Sequence, residues 1–284
     1  PDIYAVGDAI EFMHPLTKQP VITFLAGPAN KQGRIAADNI VGGNTKKYCG
    51  SIATAVAKIF SLTVASTGAN EKMLKVSGIP YLASITHSAS HATYYPGATQ
   101  MSVKILFSPS DGTLYGAQIA GYDGVDKRID VFSSVIGRGG SVRDLIEFDH
   151  AYAPPYSSAK DPVNIAGFTA ENILDGLTRT IHWHEIGGLD PTSAMLIDVR
   201  TAGEFKTGTI PGAINIPVDE LRSRLGDLPR DKKIVIFCAV GLRGHVAARM
   251  MLQSGFDDVR NLAGGYKTYS LAVNNIPGTV GACC

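Results

Sequence analysis

The chain has 284 residues, 45% of them hydrophobic, and a formal net charge of +1, which fits an ordinary globular protein of about two domains. Scattered Lys and Arg form no basic stripe, so nucleic acid is not an expected partner, and no apolar run approaches the roughly 20 residues that span a bilayer. The four cysteines, Cys49, Cys238, Cys283 and Cys284, lack metal-ligand spacing; with no signal peptide at the start, the expected setting is reducing and cytoplasmic.

The chain opens on an apolar run, Ile3–Val6, that reads as a buried strand ending in a Gly7-Asp8 turn, the kind of strand found inside a parallel sheet. No initiator Met precedes it, and neither does the rest of such a sheet, so the chain reads as a C-terminal fragment of a longer protein. LAGPANKQGRIAADNI (25–40) follows. Pro28 suits a helix start, and Ile35, Ala36 and Ile40 recur at helical spacing. From about Val41 to Gly167, strand-like runs (Ala53–Leu62, Ser102–Phe107, Leu114–Ala120) alternate with helical ones (Val125–Val135, Val142–Phe148). That layout predicts an α+β unit, an antiparallel sheet with helices on one face. Within it, Lys127-Arg128 reads as a solvated helix face. His87 and His91 have the spacing of one helix face but no nearby metal ligands. A connector, 168–188, carries a helical stretch (Ala170–Leu177) and His182-Trp183-His184-Glu185.

The last segment, 189–284, holds the sharpest signal, KIVIFCAVGLRG (233–244). An apolar strand runs into Cys238, and Arg243 follows five residues on, after Ala239, Val240, Gly241 and Leu242, with Gly244 next and a helix-like run over His245–Gln253. A sulfur at a strand's end, in a loop that closes on a helix N-terminus, meets converging N–H groups and a positive dipole end, which stabilise an anionic sulfur. Gly241 and Gly244 are expected to supply the φ values that turn the amides inward.

These motifs resemble two families. MLIDVR (195–200), Glu204-Phe205, IPGAINIP (210–217), the Cys238 loop and VRNLAGGY (259–266) resemble a rhodanese. The resemblance implies a parallel-sheet α/β domain, a persulfide on Cys238 cradled by the amides of Ala239, Val240, Gly241, Leu242 and Gly244, and positive charge from Arg243. It reads Asp198 and Arg200 as a fold-stabilising pair. Two positions depart from the family pattern: Thr209 stands where a histidine is frequent and Gly244 where a serine is, which leaves the sulfur acceptor's identity open. Phosphatases of the related fold use C-x5-R, one residue longer than the loop here.

Upstream, YAVGD (4–8), LAGPANKQGR (25–34), HATYYPGA (91–98), GVDKRID (124–130), YAPPY (152–156) and SSAKDPVN (157–164) resemble the flavoprotein disulfide reductases of the pyridine nucleotide-disulfide oxidoreductase family, in particular coenzyme A disulfide reductases. That resemblance implies a remnant of an FAD-binding domain over 1–40, with Asp8 and Ala26 against the cofactor, and a dimerisation domain over 41–167. Tyr95 (or Tyr94) and Tyr152 would reach the partner subunit's active site. No G-x-G-x-x-G loop and no S-F-x-x-C redox cysteine occur. FAD, NAD(P)H and coenzyme A are therefore expected as cofactors of the parent protein, and none bound to this fragment.

The expected function is that of a homodimeric NAD(P)H-dependent coenzyme A disulfide, coenzyme A persulfide or polysulfide reductase, carrying a rhodanese domain that transfers sulfur through Cys238. The alternative is a dimerisation and sulfur-relay module without turnover of its own. The terminal Cys283-Cys284 pair suggests that a further domain follows.

Overall fold

The computed structural model describes residues 3–275, and Cys283 and Cys284 lie outside them. Contacts divide the chain into two compact units, residues up to 83 with 88–168, and 84–87 with the residues from 169 on.

The first unit begins with the short antiparallel pair β1 (Phe12–Met13) and β2 (Pro20–Val21), then helix α1 (Ala26–Gly42). The expected strand over Ile3–Val6 does not form. Gly7–Ala9 is a 3-10 turn and Ile3 is 89% exposed, because no described strand offers this segment a ladder partner. Helix α1 forms as expected, starting at Ala26, but its buried side chains are Gln32 and Asn39 rather than Ile35, Ala36 and Ile40. Gln32 Oε1 accepts the Gly7 N–H at 2.7 Å, and Asn39 clasps the backbone of Lys46. Hydrogen-bonding demand of the neighbouring loops, not apolar periodicity, sets the inward face.

Next come β3 (Ala55–Ile59), β4 (Leu62–Gly68), α2 (Glu71–Val76), β5 (Leu82–Ala89), β6 (Gln100–Phe107), β7 (Leu114–Gly121), α3 (Val125–Gly137), α4 (Val142–Glu147) and α5 (Pro162–Leu174). The strands form a sheet in the order β3-β4-β7-β6-β5, with antiparallel pairing along β3-β4-β7-β6. The run read as one strand over Ala53–Leu62 is a strand plus a tight hairpin. Ile59 pairs with Leu62, and Phe60 takes a positive φ at the tip without the usual Gly or Asn. His87 sits in β5 and not on a helix, so the His87–His91 helix face does not exist.

Helix α3 packs on β4 and β7 through Val125, Ile129, Phe132 and Ile136. Arg128 lies on the same buried face, only 1% exposed, so the solvated face expected for Lys127-Arg128 holds for Lys127 alone. A fully paired guanidinium is the exception that lets Arg go inside. Its Nη2 and Nε hydrogens bond Asp161 (2.9 and 3.2 Å), Nη2 also bonds the Ser90 carbonyl at 2.7 Å, and Nη1 bonds the Gly124 carbonyl at 2.9 Å.

The second unit is a parallel α/β layer structure: β8 (Arg179–Ile181), β9 (Ala194–Asp198), α6 (Ala202–Lys206), β10 (Ile214–Asn215), α7 (Val218–Arg224), β11 (Lys233–Phe237), α8 (Leu242–Gln253), β12 (Val259–Leu262) and α9 (Gly265–Asn275). All four strand pairings are parallel, in the order β10-β9-β11-β12-β8. Strand β8 therefore belongs to this sheet, and the residues from 169 on are grouped with it. Central β11 is buried on both faces. Ile234 and Ile236 enter one apolar cluster, Val235 and Phe237 the other, the pattern of a strand covered by helices on both sides.

Chain progression reverses between β9, which leads out to β10, and β11, which leads the other way to β12. The crevice beyond the carboxyl ends of two such strands is where doubly wound sheets hold ligands. The segments after β9 and β11 carry the candidate site.

Candidate active site

Cys238 directly follows β11 and is buried. The non-helical loop is short. Helix α8 begins at Leu242, three residues before the expected start, capped by Gly241 at φ +112°. Arg243 and Gly244 therefore lie in the first helical turn. Gly241 has the positive φ expected of it, whereas Gly244 does not. What Gly244 supplies is room, since a Cβ there would stand 2.2 Å from Asn261 Oδ1.

The Gly241 N–H donates to Cys238 Sγ at 3.1 Å. The loop carbonyls face away from the sulfur. Cys238 O accepts from Tyr266 N (2.8 Å), Ala239 O from Lys267 N (3.0 Å), and Gly241 O from both His245 N (2.9 Å) and Asn261 Nδ2 (3.0 Å). A peptide's N–H and C=O point in opposite directions, so tying carbonyls outward turns amides inward. Gly265 is needed where that second segment approaches, as a Cβ there would lie 2.5 Å from Cys238 O.

Arg243 supplies charge, but not as a free cation. Its guanidinium forks onto Glu204 (Nη1 to Oε2 2.8 Å, Nη2 to Oε1 2.7 Å). Hydrogen bonds from Arg243, with help from Thr201, hold the Glu204 carboxyl down to about 2 against partial burial. Glu204 raises Arg243 in return, and Cys238 adds to that rise. Glu204 also closes the capping box of α6 with Thr201. The sequence showed Glu204 only as part of a motif; its pairing with Arg243 joins residues 39 apart in the chain.

Asp198 and Arg200 are the fold-stabilising pair expected. Both are buried, with Arg200 Nη2 2.6 Å from Asp198 Oδ2, and Arg200 also bonds the Gly208 carbonyl and stacks on Tyr266. Thr209, standing where a histidine is frequent, donates to Asp198 Oδ2 at 2.8 Å and so joins this pair. His182 and Glu185 form a capping box. No described group of His, Cys, Asp and Glu could hold a metal ion.

In the first unit, Tyr94 and Tyr152 meet with their hydroxyls 3.2 Å apart. The Tyr94 bond is the leading cause that raises the Tyr152 phenol above its usual range. Tyr95, named above as the first choice, instead sets its ring edge-on to His91 at 5.8 Å. Asp8 and Ala26 are both exposed, and the turn carrying Asp8 is tied to α1 by the bond from Gly7 N to Gln32. No side chain caps the first amides of α1. Cys49 is exposed, in a coil segment.

A thiol-bearing loop at the switch point of a parallel sheet, in a chain that also holds an α+β unit, is consistent with a rhodanese-like domain joined to a reductase dimerisation domain. Residues 184–272 match the rhodanese-like domain family, and residues 52–162 match the dimerisation domain of the pyridine nucleotide-disulphide oxidoreductases. The chain thus combines those two domains. It is similar to the crystal structure of reduced Bacillus anthracis CoADR-RHD, with 49% identity and a TM-score of 0.92 over 95% of this chain and 48% of that one. A NAD-dependent persulfide reductase from A. fulgidus superposes with a TM-score of 0.83 at 39% identity, over 94% of this chain and 48% of that one. Coenzyme A disulfide reductase of Staphylococcus haemolyticus (strain JCSC1435) is 35% identical over 61% of this chain and 39% of its own length. The chain spans less than half the length of these relatives. Among the described residues, no helix is long and apolar enough to cross a membrane.

Proposed function

We propose that Cys238 carries and transfers sulfane sulfur. The observation that carries this reading is the Gly241 N–H on a buried Cys238 sulfur, inside a loop whose Cys238, Ala239 and Gly241 carbonyls are each held by other donors. The Cys238 thiolate attacks the outer sulfur of a donor R–S–SH. A new S–S bond forms on Cys238, the donor's S–S bond breaks, and the leaving thiolate takes up a proton. The inward amides hold the outer charge of Cys238–S–S⁻ as an oxyanion hole does. An acceptor thiolate then attacks that outer sulfur, takes it as a new S–S bond and releases Cys238 as thiolate. Arg243, fixed by Glu204, orients the mouth of the loop rather than offering an unpaired cation.

The whole protein is read as a homodimeric FAD- and NAD(P)H-dependent reductase of coenzyme A disulfide, coenzyme A persulfide or polysulfide, for which the relatives' names and the dimerisation domain are the support. Bound FAD would supply the electron path from NAD(P)H. The residues present fit one side of it, because Asp8 and the uncapped amides at Ala26 form an exposed polar edge. In this reading Tyr94 and Tyr152, as a bonded pair, serve the thiol chemistry of the partner subunit.

The test is sulfur loading. Thiosulfate or polysulfide should add about 32 Da, one sulfur atom, to the peptide holding Cys238, and Cys238→Ser should abolish transfer to cyanide. Sulfur on another cysteine, or transfer persisting in Cys238→Ser, would overturn the assignment. Loading without turnover would favour a relay module.

A further inference from the structure

Asn261 sits on β12 beside the central strand, its Cα in register with Ile236, and is 7% exposed. Its Nδ2 donates to the Gly241 carbonyl at 3.0 Å, an acceptor that the α8 backbone already satisfies through His245 N. Its Oδ1 is buried with no hydrogen-bond partner among the described residues. That arrangement is costly, because an unmet buried acceptor loses its hydration without return. Stability alone would favour an apolar side chain here, so the donated bond has to be worth something else.

The bond lies on the peptide that turns the Cys238 loop into α8. Gly241 N–H points at the sulfur, and Gly241 O is drawn to the opposite side by Asn261. The next amide, Leu242 N–H, belongs to the same peptide as that carbonyl and is turned away from Asn261. The Cys238 and Ala239 carbonyls are held by backbone donors, Tyr266 N and Lys267 N. Among these outward ties, Asn261 is the contribution of a side chain and so can be altered without touching the backbone. Gly244 completes the arrangement, since any Cβ at 244 would collide with Asn261 Oδ1. The absence of a serine at 244 and the presence of Asn261 are thus one feature seen from two sides.

We propose that Asn261 is a positioning residue for sulfur transfer, holding the Gly241–Leu242 peptide so that its neighbouring amides face the outer sulfur on Cys238. The proposal rests on the sulfur-transfer reading of Cys238. A positioning residue that never touches the donor sets the rate of the chemical step and leaves donor binding nearly unchanged.

The experiment uses the 284-residue chain with polysulfide as donor and cyanide as acceptor, following thiocyanate. Asn261→Asp keeps the shape but replaces the amide donor by an acceptor facing the Gly241 carbonyl. Asn261→Ala removes both groups. Both should lower kcat by about tenfold, the equivalent of one well-placed hydrogen bond at about 1.4 kcal/mol per decade. The donor KM should change less than about twofold, and the thermal transition should remain cooperative. Should Asn261→Ala fail to fold, Asn261→Asp carries the test. A kcat within twofold of the unaltered chain, or a loss that follows only the unfolded fraction, would overturn the proposal while leaving Cys238 as sulfur carrier. Transfer that survives Cys238→Ser would overturn the reading beneath it.

Discussion

Replacing Arg128 by Ala should be the most destabilising single change in the first unit. The guanidinium and the Asp161 carboxylate are essentially without solvent contact, at 1% and 0% side-chain exposure. Removing one partner of such a pair strands the other's charge in the interior, which typically costs about 3–5 kcal/mol. Ser90 and Gly124 would also lose a donor to their carbonyls. For a unit of this size the loss corresponds to roughly 6–20 °C in the melting transition.

The pH dependence gives a second, independent check. Burial alone raises Asp161, but hydrogen bonds from Arg128, Ser157 and Val163 outweigh it and bring the carboxyl down. A depressed carboxylate contributes stability that is present above its unfolded value of about 3.9 and lost as pH falls through the lower folded value. Without Arg128, burial gains ground and the folded carboxyl rises. The penalty should then be largest near neutral pH and shrink near pH 4, where the stranded carboxylate can be protonated. His150, whose Nε2 lies 4.0 Å from Asp161 Oδ1, reinforces this direction once protonated in acid. Guanidinium unfolding at the two pH values, read by tyrosine fluorescence, measures both effects. A penalty below about 1 kcal/mol at pH 7, or one equal at both pH values, would refute the argument. The same pair ties Ser90, just before the Tyr94 segment, to Ser157 and Asp161, just after the Tyr152 segment. Loss of Arg128 should therefore also return the Tyr152 phenol toward its ordinary titration, followed by phenolate absorbance.

Glu204→Gln should free the Arg243 fork and lower the KM for dianionic thiosulfate by about two- to fivefold, the range expected for a partly exposed ion pair; an unchanged or higher KM in steady-state assays would count against a neutralised Arg243. The same carboxyl, held at about 2, should stabilise the fold above about pH 4.3 and lose that contribution as pH falls toward 2, which acid titration of the Gln variant against the unaltered chain would show. Gly244→Ala should cost about 1–3 kcal/mol by overpacking against Asn261 Oδ1 and impair sulfur loading; normal loading by mass spectrometry would show that the cradle tolerates the shift.

Much of the second unit was legible in the sequence. The Cys238 loop, the apolar strand before it and the helix after it are encoded within a dozen consecutive residues, where short-range sterics and hydrogen bonding act. Gly241 was readable for the same reason, because a positive φ at a helix N-cap is a local demand. The antiparallel sheet of the first unit was legible in outline. Its β3–β4 hairpin was not, because Phe60 makes the turn without glycine or asparagine, and β5 was missed because its alternation of buried and half-buried residues is weak.

The partners, by contrast, were decided only by the tertiary structure. Arg128 meets Asp161 across 33 residues, Tyr94 meets Tyr152 across 58, Arg243 meets Glu204 across 39, and Asn261 meets Gly241 across 20. Nothing near Arg128 in the chain says that it is buried, and nothing near Tyr94 says that it, rather than Tyr95, faces a second phenol. Burial of a charge or a phenol depends on whether a partner arrives from elsewhere to satisfy it. Such an arrival is settled by how the sheets and helices pack together, not by the residues on either side.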